Sequence, residues 1–339
     1  MEKIRLGRTG LMVSRSAFGA LPIQRVGMEA AGRILRRAYE GGINFFDTAR
    51  GYSDSEEKIG RALADVRERI VLATKTGAAD RAGVLRHLSE SLAALRTDRV
   101  DILQLHNPRE LPDPGDPESA YAGLKEARAA GRARFVGISS HRLDNALKAA
   151  ESGLYDTVQF PLSAISSEVD LRLVAACKAN DVGLIAMKAL SGGLLTNIAA
   201  AFAFFRQFDN VVPNWGIQRE SELEEFLSLE QRPPALDKAM QAAIEAERRE
   251  LGGDFCRGCG YCLPCPVEIP ISMAARIGFL LRRAPSARFL TAEWQRQMRR
   301  VEDCTDCGQC RQKCPYELDA PRLLRQMYED YKSFLGGTA

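Results

Sequence analysis

Eight of the chain's nine cysteines fall between positions 256 and 314. They form two runs. CRGCGYCLPCP carries Cys256, Cys259, Cys262 and Cys265 ahead of Pro266, and CTDCGQCRQKCP carries Cys304, Cys307, Cys310 and Cys314 ahead of Pro315. Three thiolates at two-residue spacing in a tight loop reach three corners of an iron–sulfur cubane, while a fourth, followed by Pro, is aimed elsewhere. Paired C-x2-C motifs also make four-cysteine zinc sites, although these rarely need a third and fourth Cys at the same interval. The first run departs from the second in having two residues rather than three before its last Cys. In a secreted chain so dense and even a set would suggest disulfides. The opening MEKIRLGRTGLMVS lacks the apolar stretch of a secretory leader, so reduced thiolates in a cytoplasmic setting are expected. Cys177 lies alone in the helical pattern LRLVAACKAND and reads as a buried, inert thiol.

A second set of reactive types stands earlier in the chain. Asp47 closes the β-rich run NFFDTA, Tyr52 follows it, Lys75 follows IVLAT, and His106 ends VDILQLH. Reduction of a carbonyl by hydride needs a proton on the oxygen as it becomes an alkoxide. A Tyr hydroxyl can give that proton, but its free pKa is about 10. A Lys ammonium nearby stabilises the tyrosinate and is expected to bring that pKa down, and an Asp holds the ammonium charged and in place. A His beside the carbonyl orients the substrate through a hydrogen bond. Taken singly, each residue has an ordinary use: a solvated Lys, a capping Asp, a satisfied strand-end His, a half-buried loop Tyr. Four fitting types at successive strand ends argue for chemistry.

The elements that must position them recur regularly. Candidate strands lie at 16–20, 44–49, 70–74, 100–106, 135–139, 157–160, 183–187 and 210–213, with amphipathic segments between them. Alternation in VDILQLH puts Ile102, Gln104 and His106 on one face. Eight βα repeats over about 230 residues predict an α/β chain with a closed (β/α)8 TIM barrel, whose active site sits at the C-terminal strand ends. The alternative, an open doubly wound sheet, lacks its GxGxxG after the first strand. IRLGRTGLMV predicts a hairpin turning at Gly7 to Gly10 and plugging the lower end. Ser53 with Glu56 predicts a capping box at the next helix. AAAFAFFRQF is short, carries Arg206 and suits a buried barrel helix. QRPPALD (231–237) reads as a linker, followed by a helix near 236–251 that the glycine pair 252–253 would end. The expected division is 1–232 for the barrel and 233–339 for a linker helix and a small, mainly helical iron–sulfur domain closed by a helical tail near 320–335. The 339 residues, 45% hydrophobic and 27% charged with net charge +3, allow two ordinary cores. That charge, without runs of Lys and Arg, gives no case for nucleic acid. With no apolar run of about 18 residues, no membrane span is expected.

The segments FFDTARGYSDSEEKIG, VLATKTG and DILQLHNP, with the RLGRTGLMVSRSAFGA start, resemble the aldo/keto reductases up to about residue 230. The resemblance implies Asp47, Tyr52, Lys75 and His106 as a catalytic tetrad with Tyr52 as proton donor, and NADP or NAD bound extended across the barrel rim. It implies cofactor contacts from Asp47, Gln159 and Ser139, although Ser139, Ser140 and His141 stand where many members have Ser-Asn. Met187 and Lys188 stand where an aromatic often stacks on the nicotinamide; Lys188 is a candidate for the pyrophosphate. Arg219 is the candidate for an adenosine 2′-phosphate, ahead of Glu220 and Glu222. NADPH is the family expectation, with NADH open. The cysteine runs resemble two-cluster ferredoxins, in which the fourth Cys of each run ligates the other cluster. This implies two 4Fe-4S clusters, one on Cys256, Cys259, Cys262 and Cys314, the other on Cys304, Cys307, Cys310 and Cys265.

Three functions remain open on these residues. The first is a carbonyl reductase or alcohol dehydrogenase whose clusters are structural, redox-sensing or used by an external one-electron carrier. The second is an electron-transfer protein coupling a nicotinamide site to a ferredoxin-like partner. The third is a non-catalytic nicotinamide sensor, which would need no proton donor. A hydride carries two electrons and a cluster passes one, and no flavin-binding signature is visible to split it. The loop NPRELPDPGDPES, after the fourth strand, carries no recognisable substrate signature.

Overall fold

The computed structural model describes residues 1–251, 255–283 and 286–336. The glycine pair at 252–253, predicted to end a helix, lies outside them. The described residues divide into two compact units, Met1–Ala189 with Ala199–Met240, and Leu190–Ile198 with Gln241–Ala339. Among the described residues no helix is long and apolar enough to cross a membrane.

The first unit opens with the predicted hairpin. Strand β1 (Lys3–Arg5) pairs antiparallel with β2 (Met12–Ser14), and Gly7 and Gly10, both in the left-handed region, carry the turn. Its inward residues Ile4, Leu6, Leu11 and Val13 pack on Ala17, Phe45, Val71, Ile102 and Val212 at the floor of the barrel. The hairpin is therefore the expected plug, driven by apolar burial.

Eight parallel strands close the barrel: β3 (Ala17–Gly19), β4 (Phe45–Asp47), β5 (Val71–Thr76), β6 (Val100–His106), β7 (Ala133–Ser139), β8 (Thr157–Pro161), β9 (Gly183–Met187) and β10 (Val211–Gly216), with β10 paired to β3. Their near-continuous apolar composition reflects burial on both faces, by the barrel interior and by the surrounding helices. Those helices are α1 (Met28–Glu40), α2 (Ser55–Leu63), α3 (Arg81–Leu95), α4 (Ala120–Ala129), α5 (Leu143–Glu151), α6 (Glu168–Ala179), α7 (Ile198–Arg206) and α8 (Glu220–Gln231). Short polar caps start several of them: Asp80 accepts from the Gly83 N–H, Ser119 from Ala122, and Ser167 forms a capping box with Asp170. The AAAFAFFRQF segment supplies α7, buried through Phe202, Phe204 and Phe205.

The capping box expected from Ser53 and Glu56 does not form. Ser53 takes a left-handed φ of 38°, so α2 starts at Ser55, too late for Ser53 to cap it. Glu56 instead turns into the protein, accepts from Thr74 Oγ1 at 2.6 Å and pairs with Arg50 at 3.2 Å.

The second unit is mainly helical. It contains most of α9 (Lys238–Leu251), then α10 (Ile271–Ala274), α11 (Ile277–Arg283), α12 (Ala292–Arg299), α13 (Gln309–Lys313) and the tail helix α14 (Ala320–Gly336). The two cysteine runs form the loops before α10 and around α13. Ile271, Ala274, Ile277 and Leu281 bury beneath them with Leu323, Leu324 and Tyr331 of α14.

Candidate active site and cysteine centre

Strand register brings the polar residues of the barrel to one level. Asp47 pairs with Ala73, two positions before Lys75; Lys75 pairs with Gln104; His106 pairs with Ser139, and Ser139 with Gln159. The level lies at the C-terminal ends of the strands, where a (β/α)8 barrel places its chemistry. Tyr52 joins it from the loop between β4 and α2, in a turn in which its N–H donates to Ala49 O at 3.0 Å.

Lys75 and Asp47 form a buried ion pair. The Nζ donates to both Asp47 oxygens at 2.8 and 2.7 Å and to Thr48 O at 2.7 Å. Three amides complete the carboxylate's surroundings: Gln104 Nε2 at 3.4 Å, Gln159 Nε2 at 3.0 Å and Asn214 Nδ2 at 2.7 Å. Tyr52 meets the His106 ring edge-on, with centroids 5.6 Å apart, and the Lys75 ammonium stands 5.3 Å from the Tyr52 ring centre. All four predicted residues therefore converge.

The electrostatics differ from the expectation in one respect. Burial, and after it the Asp47 carboxylate, push the Tyr52 phenol well above its ordinary range rather than below it. The reason is the tight pairing of Lys75: its charge is spent on Asp47, so little of it is left for the phenol. Burial likewise pulls the Lys75 ammonium down, against the upward pull of Asp47. His106 is pushed down to about 3, first by burial and then by the Lys75 charge. The imidazole is accordingly neutral across the ordinary pH range, and the phenol keeps its proton.

The expected cofactor residues are placed as follows. Ser139 is buried; its hydroxyl donates to Leu105 O at 3.2 Å and accepts from Asn107 N at 3.1 Å. Gln159 is buried, its amide shared between Asp47 and Gln104. Lys188 follows β9 with a left-handed φ of 57° beside half-buried Met187. Arg219, at the start of α8, is held by Glu222 at 2.6 Å.

Two participants were missed in the sequence. Gln104 was placed on the His106 face but given no role. Asn214 lay beyond the predicted end of the last strand, at 213. The strand runs to Gly216, and two-residue alternation from the interior Val212 points Asn214 inward. That alternation was the available signal.

In the second unit the thiols ring two spaces. One is walled by Cys256, Cys259, Cys262 and Cys314, with Arg257, Pro315 and Tyr316. The other is walled by Cys265, Cys304, Cys307 and Cys310, with Asp306 and Val267. Cys262, Cys310 and Ile271 border both. Among the described residues no three His, Cys, Asp or Glu side chains close on one point as ligands of a single ion would. Burial raises the Cys256 thiol and pushes Cys262 up to about 12, so each needs a metal's charge to ionise readily. Cys177 is fully buried in α6 and likewise raised to about 12 by burial.

Comparison with known proteins places both units. A sequence model of the aldo/keto reductase family matches residues 16–215, more than half of the chain. The chain belongs to the aldo/keto reductase family. A model of 4Fe-4S dicluster domains matches residues 255–319. The chain is 28% identical over 220 residues to aldo-keto reductase YhdN of Bacillus subtilis, covering 58% of this chain and 64% of that protein. It is 32% identical over 217 residues to the L-galactose dehydrogenase of Arabidopsis thaliana, covering 58% and 67%. To the NADH-specific methylglyoxal reductase of Escherichia coli it is 28% identical over 227 residues, covering 58% and 69%. The chain thus spans roughly two thirds of these relatives' length. Among solved structures, the holo form of an aldo-keto reductase from Bacillus halodurans superposes with a TM-score of 0.63 at 22% identity, covering 73% of this chain and 96% of that one, a likeness of fold. The chain is thus an oxidoreductase-family barrel followed by a 4Fe-4S dicluster domain.

Proposed function

We propose that the barrel reduces a small carbonyl compound, or oxidises the matching alcohol, with NADPH or NADH. The observation that carries this reading is the convergence of Tyr52, His106, Lys75 and Asp47 at one rim. The residues present fit a nicotinamide. Two buried amide oxygens beside Asp47, Gln104 Oε1 and Asn214 Oδ1, have no hydrogen-bond partner, so the barrel offers acceptors for an amide-bearing ligand. When bound, the nicotinamide supplies the hydride.

The chain's own residues do the rest. Tyr52, protonated because its phenol is raised, delivers a proton to the substrate oxygen as negative charge grows there. Neutral His106 offers an N–H to the same oxygen and fixes its direction. Lys75 and Asp47, paired at 2.7 Å, hold each other in place beside Tyr52, with the ammonium 5.3 Å from its ring centre. Ser139, Gln159 and Lys188 are the proposed contacts to the cofactor. Arg219 is the cation proposed for a 2′-phosphate; because Glu222 already holds it, NADH competes well. Replacing Tyr52 by Phe removes the proton and should lower carbonyl reduction about 10²–10⁴-fold. Full activity in Y52F would refute the reading.

For the second unit we propose two 4Fe-4S clusters. One is held by Cys256, Cys259, Cys262 and Cys314, the other by Cys265, Cys304, Cys307 and Cys310, the grouping that the two thiol-lined spaces support. The donors fit: all are thiols, and the Gly258 N–H reaches the Cys256 sulfur at 3.4 Å, the kind of bond cluster sulfurs accept. Cys262, Cys310 and Ile271 border both spaces, so two clusters held there would be neighbours and would supply one-electron chemistry. Anaerobic addition of NADPH or NADH, followed by cluster absorbance and EPR, tests the link to the barrel. Reduced clusters would join the two chemistries; oxidised clusters during aldehyde turnover would separate them.

A further inference from the structure

Arg276, between α10 and α11, is only 9% exposed. A buried guanidinium in a unit of this size requires a reason, because desolvating a charge is expensive. Its surroundings supply one. An ideal Cβ at Gly258, between Cys256 and Cys259, would lie 2.6 Å from the guanidinium carbon and 2.9 and 3.0 Å from two of its nitrogens. A Cβ at Gly192 would lie 3.0 Å from Nη1, which donates to Gly192 O at 3.5 Å. Both glycines are left-handed, with φ of 63° and 70°. Two residues without side chains thus make room for one cation against the cysteine loop. The Gly258 peptide on which it packs is the one whose N–H meets the Cys256 sulfur.

The two thiol-lined spaces are unequal in this respect. The space at Cys256 has Arg257 in its wall and Arg276 behind Gly258. Among the described residues lining the space at Cys304, the one charged group is Asp306, paired with Arg325 at 2.9 Å. The latter space is also more open, with Cys307 exposed. Burial alone would disfavour adding negative charge to the cluster at Cys256, since an electron is harder to place where water is excluded.

We propose that Arg276 is a positioning residue for electrons: its charge raises the reduction potential of the cluster on Cys256, Cys259, Cys262 and Cys314 and makes that cluster the better electron holder than it would be by burial alone. The inference rests on the reading that these cysteines hold a 4Fe-4S cluster. The step is a one-electron reduction of that cluster by its neighbour, which is oxidised by one electron; no proton or bond is exchanged. A fixed cation against the cysteine loop lowers the energy of the added negative charge by Coulomb attraction.

The test is an EPR-monitored redox titration of the full chain with both clusters loaded. In R276Q the midpoint of one cluster should fall by at least a tenfold shift in its one-electron equilibrium, about 59 mV. The other midpoint should stay, and the shifted signal should be the one that survives in C307S. R276K, which keeps the charge, should restore most of the loss. If R276Q fails to load its clusters, G258A decides, because its Cβ displaces the guanidinium and should lower the same midpoint. Unmoved midpoints, equal shifts of both clusters, or a shift confined to the other cluster would overturn the inference while leaving the two-cluster reading intact. A wild-type chain that takes up no iron and sulfide would overturn both.

Discussion

Replacing Lys75 by Met tests the buried pair on which the site is built. Lys75 and Asp47 have side-chain exposures of 1% and 3%, so removing the ammonium strands a carboxylate out of reach of water. Breaking such a pair from one side typically costs about 3–5 kcal/mol. Here the amides of Gln104, Gln159 and Asn214 still donate to Asp47, which puts the expectation near the lower end, about 3 kcal/mol. For a barrel of this size that is a fall in Tm of roughly 6–12 °C. The readout is urea unfolding followed by Trp215 fluorescence in a W294F background, since Trp215 is buried in the barrel and Trp294 lies in the other unit. The double variant D47N/K75M removes both charges and should recover most of the loss, because the cost lies in the unpaired charge. A K75M protein within about 0.5 kcal/mol of the wild type, or a double variant whose loss equals the sum of the singles, would refute the reasoning.

Other expectations follow from the same geometry. The pH profile of kcat/KM for carbonyl reduction should show no limb near pH 6–7, because His106 is pushed down to about 3 and stays neutral throughout. Its alkaline limb should lie above the ordinary Tyr value of about 10, since the raised Tyr52 phenol keeps its proton there; a limb near 6.5 would contradict the first point. C314S or C265S should each cost a single cluster, taking iron from about eight to about four or fewer per chain, while C177A leaves iron unchanged; equal losses in all three would show that the grouping of thiols is wrong. L6A, at a residue 1% exposed in the barrel plug, should lower barrel stability by about 2–5 kcal/mol without changing the pH profile of reduction. Denaturation and kinetics on one preparation check both halves of that statement.

The sequence by itself determined the architecture and which reactive groups gather at the barrel rim. Eight β-rich runs at regular intervals sufficed for the barrel, because a buried parallel strand needs a continuous apolar segment and a helix to return. VDILQLH and GLIAM were legible to the residue, as strands β6 and β9. The meeting of Asp47, Tyr52, Lys75 and His106 was legible because strand ends in such a barrel converge whatever the loops do. The cysteines were legible because short spacings bring thiolates together locally. What the tertiary structure decided were interactions between residues far apart in sequence. Asn214 meets Asp47 across 167 positions, and only closure of β10 on β3 brings them together. Glu56 looked like a cap in its local motif, but a left-handed Ser53 and the approach of Thr74 and Arg50 turned it inward. The direction of the Tyr52 shift was likewise invisible. Its sign depends on how completely burial acts and on how tightly Lys75 is already held by Asp47, and both are properties of packing. Local pattern names the groups; the distances and dielectric that set their charge states exist only once the chain has closed on itself.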